Sequence, residues 1–160
     1  MVGLAGWLTC CASAGSCPRE GCDALNSRVG DGAGVSGVAG LIASESDVVA
    51  NGCQECGFAA APVAAWAHQG NEANTSVLRD ETSGPALASV TAGSDGKYAL
   101  ALEPGNYWIC SGIACFGASV VEGHTTTLNI KLINGISTGY LALPDVQSIT
   151  KIAAIERPPT

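Results

Sequence analysis

The sequence predicts an all-β fold, a sandwich of short strands, on three observations. First, 47% of the 160 residues are hydrophobic and 13% are charged, which suits one domain with a core of useful size. Second, the chain contains 21 glycines and 7 prolines, more than an average protein of this length, and this indicates frequent turns. Third, apolar residues alternate with period two in the second half of the chain, as they do in strands that bury one face.

Seven strands are expected between residues 35 and 132, a spacing typical of a sandwich. The alternation predicts that Leu128 and Ile130 face the core and that Asn129 and Lys131 face solvent. The strands are predicted at Val35–Ala43, Pro62–His68, Leu87–Ala92, Lys97–Leu102, Asn106–Cys110, Cys115–Val121 and Thr125–Leu132.

Two turns order these strands. Gly96 ends the Ser94-Asp95-Gly96 turn and permits a positive φ, while Pro104 and Gly105 form the next turn. One hairpin is therefore expected to follow another.

Segments flank the predicted sandwich on both sides. Residues 1–34 are expected to be a leader remnant and a cysteine-rich arm, ordered only by bridging or docking. Residues 133–160 add two strand-like runs, Ile136–Leu143 and Gln147–Ile155. These runs could extend the molecule's own sheet or pair with a neighbouring copy, and the second outcome would build a homo-oligomer or filament. Candidate partner contacts there are Ile149, Ile152 and Ile155.

The sequence of residues 94–109 resembles the D-x-x-G-x-Y/F-x-L…P-G-x-Y signature of transthyretin-like sandwiches; it is SDGKYALALEPGNYWI. That group includes carboxypeptidase regulatory-like domains and the B-type repeats of collagen adhesins. Residues 35–40, 61–63 and 120–128 resemble other strands of the family, so the likeness spans about residues 35–132. The resemblance implies a seven-stranded transthyretin-like or immunoglobulin-like sandwich that serves as a spacer, stalk or non-catalytic appendage.

Charge and hydropathy exclude several partner classes. The chain has 7 basic and 14 acidic residues, and the basic ones are scattered, so no stripe is expected to bind nucleic acid. Anionic membrane surfaces are disfavoured for the same reason. No apolar run approaches the roughly 18 residues of a transmembrane helix.

Eight cysteines indicate an oxidising compartment, so we expect an extracellular or cell-surface protein. Val2–Thr9 and the Ala12-Ser13-Ala14 site partly fit an export leader, although the basic segment that usually precedes such a stretch is missing. Cleavage and lipidation of this leader stay open.

The sequence predicts three local disulfides: Cys17 with Cys22, Cys53 with Cys56, and Cys110 with Cys115. Two alternatives concern the C-x-x-C motif. It could be a redox pair, or it could bind zinc together with Cys110 and Cys115.

Several other side chains are candidates for function or have an expected structural place. Trp108 is predicted on the outer face, where it would meet a partner or a glycan, and Trp66 is predicted to fill the core. His68 and His124 lie outside any recognised triad spacing, and Glu45 is expected to be a loop charge. Asn74 opens an N-x-S glycosylation pattern.

These observations predict a non-catalytic exported module with a structural or adhesive role at the cell surface, possessing neither cofactor nor metal site. Self-assembly into filaments through its terminal strands and an independent monomer are both open. The first alternative is a monomeric carbohydrate-binding module with an aromatic platform around Trp108. The second is a metal or redox protein that uses Cys53 and Cys56, and free thiols would distinguish it from the others.

Overall fold

The computed structural model is an all-β sandwich of two sheets with one short helix in the described part. The structure describes residues 17–28, 35–46, 49, 52–68, 76–78, 84–133, 136–144 and 148–152. The elements are α1 (Glu20–Asp23), a 3-10 turn (Ala24–Asn26), β1 (Gly37–Glu45), β2 (Cys56–Phe58), β3 (Pro62–Ala67), β4 (Ser76–Leu78), β5 (Ala88–Thr91), β6 (Lys97–Ala101), β7 (Gly105–Ser111), β8 (Ala114–Val120), β9 (Thr125–Ile133), β10 (Ile136–Ala142) and β11 (Thr150–Ile152).

The first sheet is built around β1. Its strand order is β11-β10-β9-β1-β2, and β6 lies beside β1 on the same side as β2. Strands β1 and β9 are parallel, with Val38 opposite Thr126 and Ile42 opposite Ile130. Strand β6 pairs with the first half of β1 and β2 with its end, both antiparallel. Every residue of β1 therefore has a neighbouring strand on at least one side.

The second sheet has the order β4-β8-β7-β3-β5 and is antiparallel throughout. The inner faces of the two sheets meet around Phe116, which is fully buried. A Cβ atom on Gly139 would lie 2.8 Å from the Phe116 ring, so only glycine allows β10 to approach that ring so closely. The fully buried aliphatic residues of this core include Val38, Ile42, Val63, Ile109, Leu128 and Ile130.

Each of the seven predicted strands is present, with slightly shifted ends. Strands β2 and β4 were missed because three residues are too few to show a period of two. The expected positive φ at Gly96 is found, at 77°. The described residues hold nine strands in the region where seven were predicted, and β10 and β11 correspond to the two strand-like runs predicted after it.

The C-terminal strands lie in the first sheet of the same molecule. β10 pairs with β9 along its whole length, and β11 pairs with β10. Ile152 is buried in the main core and Ile149 packs against a second cluster, so these two predicted partner contacts are used within the molecule. The predicted contact at Ile155 lies outside the described residues. Strand pairing within one chain closes a sheet without the docking entropy that a second copy would cost.

Candidate functional site

The N-terminal arm, residues 17–28, covers the outer face of the first sheet. Two disulfides hold it there: Cys17 to Cys53 across 36 residues, and Cys22 to Cys56 across 34 residues. Helix α1 contacts both β1 and β2. The expectation that bridging and docking would order the arm is confirmed for these residues.

The predicted pairing of Cys17 with Cys22 and of Cys53 with Cys56 was wrong. The Cys56 N–H donates a hydrogen bond to the Pro18 carbonyl at 2.9 Å, so the arm and the start of β2 run side by side. Each cysteine therefore faces the other segment and not its sequence neighbour. Two bridges that cross between segments also fix an arm that local bridges would leave undocked.

Cys110 and Cys115 form the bridge that their spacing predicts. They lie directly opposite each other in the β7–β8 hairpin, with Cα atoms 4.0 Å apart. In this oxidised form Cys53, Cys56, Cys110 and Cys115 are all bonded to other sulfurs, and none is a thiolate that could bind zinc or act in redox exchange.

Glu45, predicted to be a loop charge, lies at the end of β1 and is only 8% exposed. Its Oε2 accepts a hydrogen bond from the Arg19 guanidinium, and Lys131 Nζ lies 3.6 Å from Oε1. The Arg19 hydrogen bond holds the pKa of the Glu45 carboxyl below its ordinary value, against burial, and the Lys131 charge lowers it further. Arg19 also donates to the Gln54 carbonyl, so one side chain joins the arm, β1 and the segment before β2.

Asn129 was predicted to face solvent, yet it is fully buried beneath the arm. Its Oδ1 accepts the Leu41 N–H at 2.9 Å, and its Nδ2 donates to the carbonyls of Leu25 and Ser27, each at 2.8 Å. A Cβ atom on Gly40 would lie 1.8 Å from the Leu128 carbonyl oxygen, so β1 and β9 approach very closely at this point. The Asn129 amide thus links the sheet to the arm and satisfies backbone groups of both.

Three potential metal ligands, the sulfurs of Cys22 and Cys56 and a carboxylate oxygen of Glu45, lie within 4.8 Å of one another. The two sulfurs are bonded to each other in the Cys22–Cys56 disulfide, and Arg19 and Lys131 already neutralise the carboxylate. A divalent cation would have to displace two side-chain cations and would need both thiolates. The donor set therefore fits a structural bridge and not a metal site in an oxidising compartment.

The outer face of the second sheet carries a group of aromatic rings, hereafter the aromatic face: Trp66, His68 and Trp108. Trp66 lies directly opposite Trp108 in the β3–β7 ladder, so its predicted place in the core was wrong. The side chain of Val63, on the opposite face of β3 from Trp66, is fully buried in the core. The His68 and Trp108 rings are stacked, with centroids 4.0 Å apart and planes at 21°.

Polar groups and an exposed leucine surround the aromatic face. The Trp66 Nε1–H donates to the Gly84 carbonyl at 2.9 Å, which fixes the orientation of the indole. The Ser119 hydroxyl, on β8, donates to Asn106 Oδ1 at 2.7 Å, and Asn106 lies two residues before Trp108 on β7. Leu87, the residue just before β5, is 62% exposed. Large half-buried rings beside hydrogen-bonding groups can bind a ligand that has one apolar and one polar side.

A groove of about 580 Å³ lies at the other side of the sandwich, between β5 and β6. Its lining is mostly apolar and also includes Lys97, Thr91 and Thr125. The main residues that line it are Val35, Val38, Val90, Tyr98, Ala99 and Leu100.

The remaining predicted sites contribute little to this geometry. His124 is exposed, and its N–H donates to the Val121 carbonyl at 3.1 Å in a turn. Asn74 lies outside the described residues. No helix in the described part of the chain has both the length and the apolarity to cross a membrane.

No protein family, curated protein or solved structure matches this chain. The resemblance to transthyretin-like sandwiches therefore stays a prediction, while the all-β sandwich itself is present. Sequence reasoning missed the roles of Glu45, Asn129 and Trp66. One signal was available for Asn129, since an amide between Leu128 and Ile130 in an apolar strand is a candidate buried polar group.

Proposed function

We propose that the chain is a non-catalytic exported module with a structural or adhesive role at the cell surface or outside the cell. The observation that carries this proposal is the pair of bridges from the arm to β2, Cys17–Cys53 and Cys22–Cys56. Disulfides that close long loops persist in oxidising compartments and are rare in the cytosol.

The ionisable groups of the described residues support a structural role. Glu45 is engaged by Arg19 and Lys131, and it holds the arm in place. The six described cysteines are all bridged, so no thiolate is available as a nucleophile. A protein that works outside the cell without chaperones gains from such cross-links, because they limit unfolding of a sandwich with a small-residue core.

The test is a thiol count on the native protein combined with fractionation of the cells that produce it. We expect the chain in the envelope or medium fraction, with Cys17, Cys22, Cys53, Cys56, Cys110 and Cys115 inaccessible to a thiol reagent until the protein is reduced. A cytosolic protein whose native form reacts at Cys53 and Cys56 would contradict the proposal and would favour the metal or redox alternative.

A second candidate function is binding of carbohydrate at the aromatic face. The observation that favours it is the position of Trp66 directly opposite Trp108, with His68 stacked on Trp108. The C–H groups on one side of a sugar ring pack against the negative face of an aromatic ring, and hydroxyls at the ring edge need polar partners. Asn106, on the same strand as Trp108, and Ser119, opposite Asn106 on β8, supply such polar groups.

Titration with soluble oligosaccharides, followed by tryptophan fluorescence, tests this second candidate. We expect Trp108→Ala to weaken binding by about tenfold or more, roughly 1.4 kcal/mol. Phe58→Ala is the matched control, because Phe58 is an exposed aromatic residue on the other sheet. Equal loss in both variants, or no binding by the native protein, would eliminate the candidate.

A further inference from the structure

Strand β6 has one edge that no strand of the described residues covers. It pairs with β1 alone, and Ile42 and Ser36 continue this ladder at its two ends by bonding to Gly96 and Leu102. Along an antiparallel strand, every second residue directs its N–H and C=O groups to the same neighbouring strand. Because Gly96 and Leu102 bond to the β1 side, the backbone groups of Tyr98 and Leu100 also bond to β1. The N–H and C=O groups of the residues between them, Ala99 and Ala101, consequently point toward the uncovered edge.

Among the residues that the structure describes, the centre of this edge lacks the usual protection against pairing. Natural edge strands are blocked by proline, by a bulge or by charges at their centre. The centre of β6 instead has Ala99 and Ala101, both exposed and small, and the apolar groove runs beside it. The charged residues lie only at the two ends: Lys97 at the start, and Glu103 two residues beyond the last residue of β6.

The segment Lys97–Glu103, KYALALE, is complementary to itself when two copies run antiparallel. With Leu100 opposite Leu100 of the second copy, Ala99 lies opposite Ala101 and Lys97 lies opposite Glu103. In this register the exposed alanines and the opposite charges share one face of the ladder, and the buried Leu100 lies on the other face. The residues whose backbone groups point outward also lie opposite each other, as a hydrogen-bonded ladder requires.

We propose that the β6 edge is a self-association surface whose occupant is β6 of a second copy, in this antiparallel register. Ala99 and Ala101 of each copy exchange N–H···O=C bonds with Ala101 and Ala99 of the other, and the two first sheets become continuous. Oppositely charged residues directly across a ladder stabilise it and fix its register.

Charge selects this register over its neighbours. A shift that places Ala99 opposite Ala99 brings Asp95 opposite Glu103, which are both negative. A shift in the other direction places Glu103 opposite Ala99 and leaves Lys97 without an acidic partner. The contact is isologous, so it consumes the edge of both copies and closes as a dimer, whereas a head-to-tail contact would propagate. This inference is independent of the proposed function, because monomeric and dimeric modules can both be exported and cross-linked.

Sedimentation of the intact, oxidised protein over a concentration series tests the proposal with a charge-swap set. We expect the native chain to form a dimer as concentration rises. Lys97→Glu, which sets two negative side chains opposite each other, should weaken the dimer by about tenfold, and Lys97→Glu combined with Glu103→Lys should restore it. Both residues are exposed, so folding is preserved, and circular dichroism verifies this.

Ala99→Pro is the second variant, since it removes an outward N–H without removing a bond to β1. We expect it to be monomeric. A native chain that is monomeric at all concentrations overturns the proposal, as does a filament. The same holds for a dimer that survives Ala99→Pro with native circular dichroism. A double swap that does not restore dimerisation also overturns it, because the stated register would then be wrong.

Discussion

Arg19 donates a hydrogen bond to the Glu45 carboxylate on the outer face of the first sheet, across 26 residues of sequence. One partner belongs to an arm that forms no strand and the other to the central strand of the sheet, so this contact and two nearby disulfides help to anchor the arm. The ion pair is partly exposed on the Arg19 side, at 36%, and buried on the Glu45 side, at 8%. It therefore loses less to solvent screening than a surface pair.

The first prediction concerns pH. The pKa of Glu45 is lower in the folded protein than in the unfolded chain, so its contribution to stability is complete above the unfolded pKa, near 4.5. That contribution is lost as the pH falls through the folded value. We expect the free energy of unfolding of the native protein to fall more steeply below about pH 4.5 than that of Glu45→Gln. Urea unfolding from pH 7 to pH 3 measures this, and parallel curves for the two proteins would contradict it.

The second prediction concerns Asn129. Asn129→Ala leaves the Leu41 N–H and the carbonyls of Leu25 and Ser27 without their buried partner, so we expect a loss on the order of 3 kcal/mol. Denaturant unfolding measures the change. Asn26→Ala is the control, since Asn26 is exposed on the same arm, and its effect should stay within about 0.5 kcal/mol. Similar losses in the two variants would show that the Asn129 amide does not anchor the arm.

The third prediction ranks the disulfides. Loop-closure entropy predicts that removal of both arm bridges, Cys17–Cys53 and Cys22–Cys56, costs at least about 4 kcal/mol, because either bridge alone still closes a long loop, with a sequence separation of 36 or 34. Removal of Cys110–Cys115, with a separation of 5, costs about 2 kcal/mol. Unfolding of the Cys→Ser variant at all four arm cysteines, and of the Cys→Ser variant at Cys110 and Cys115, measures both values. The reverse order would refute the ranking, and non-reducing peptide mapping independently verifies the pairing.

The fourth prediction concerns the close approach of β1 and β9. Gly40→Ala would place a Cβ 1.8 Å from the Leu128 carbonyl oxygen, so the strands must separate, and we expect a loss of about 3 kcal/mol. Gly57→Ala in β2 is the matched control, because nothing lies within 4 Å of its added Cβ. Thermal unfolding of both variants compares them. Equal melting temperatures would show that β1 and β9 tolerate wider spacing.

Short-range patterns predicted much of the fold. Alternation along the chain assigned Leu128 and Ile130 to a buried face, and both are fully buried. The turn at Gly96 is visible in sequence because only a residue that tolerates positive φ fits there. The Cys110–Cys115 bridge is equally local, since a hairpin brings the two residues opposite each other.

Tertiary structure decided which outer faces are covered. A period of two shows that Asn129 and Lys131 share a face with each other, but it holds no information on what packs above them. The arm covers that face, and consequently Asn129 and Glu45 are buried. The crossed disulfides follow from the same docking, because Cys56 lies beside Pro18 only after the arm has folded onto the sheet. Trp66 lies opposite Trp108 for a related reason. The two residues are 42 positions apart in the sequence, and the local sequence of neither strand predicts that β3 and β7 pair in this register.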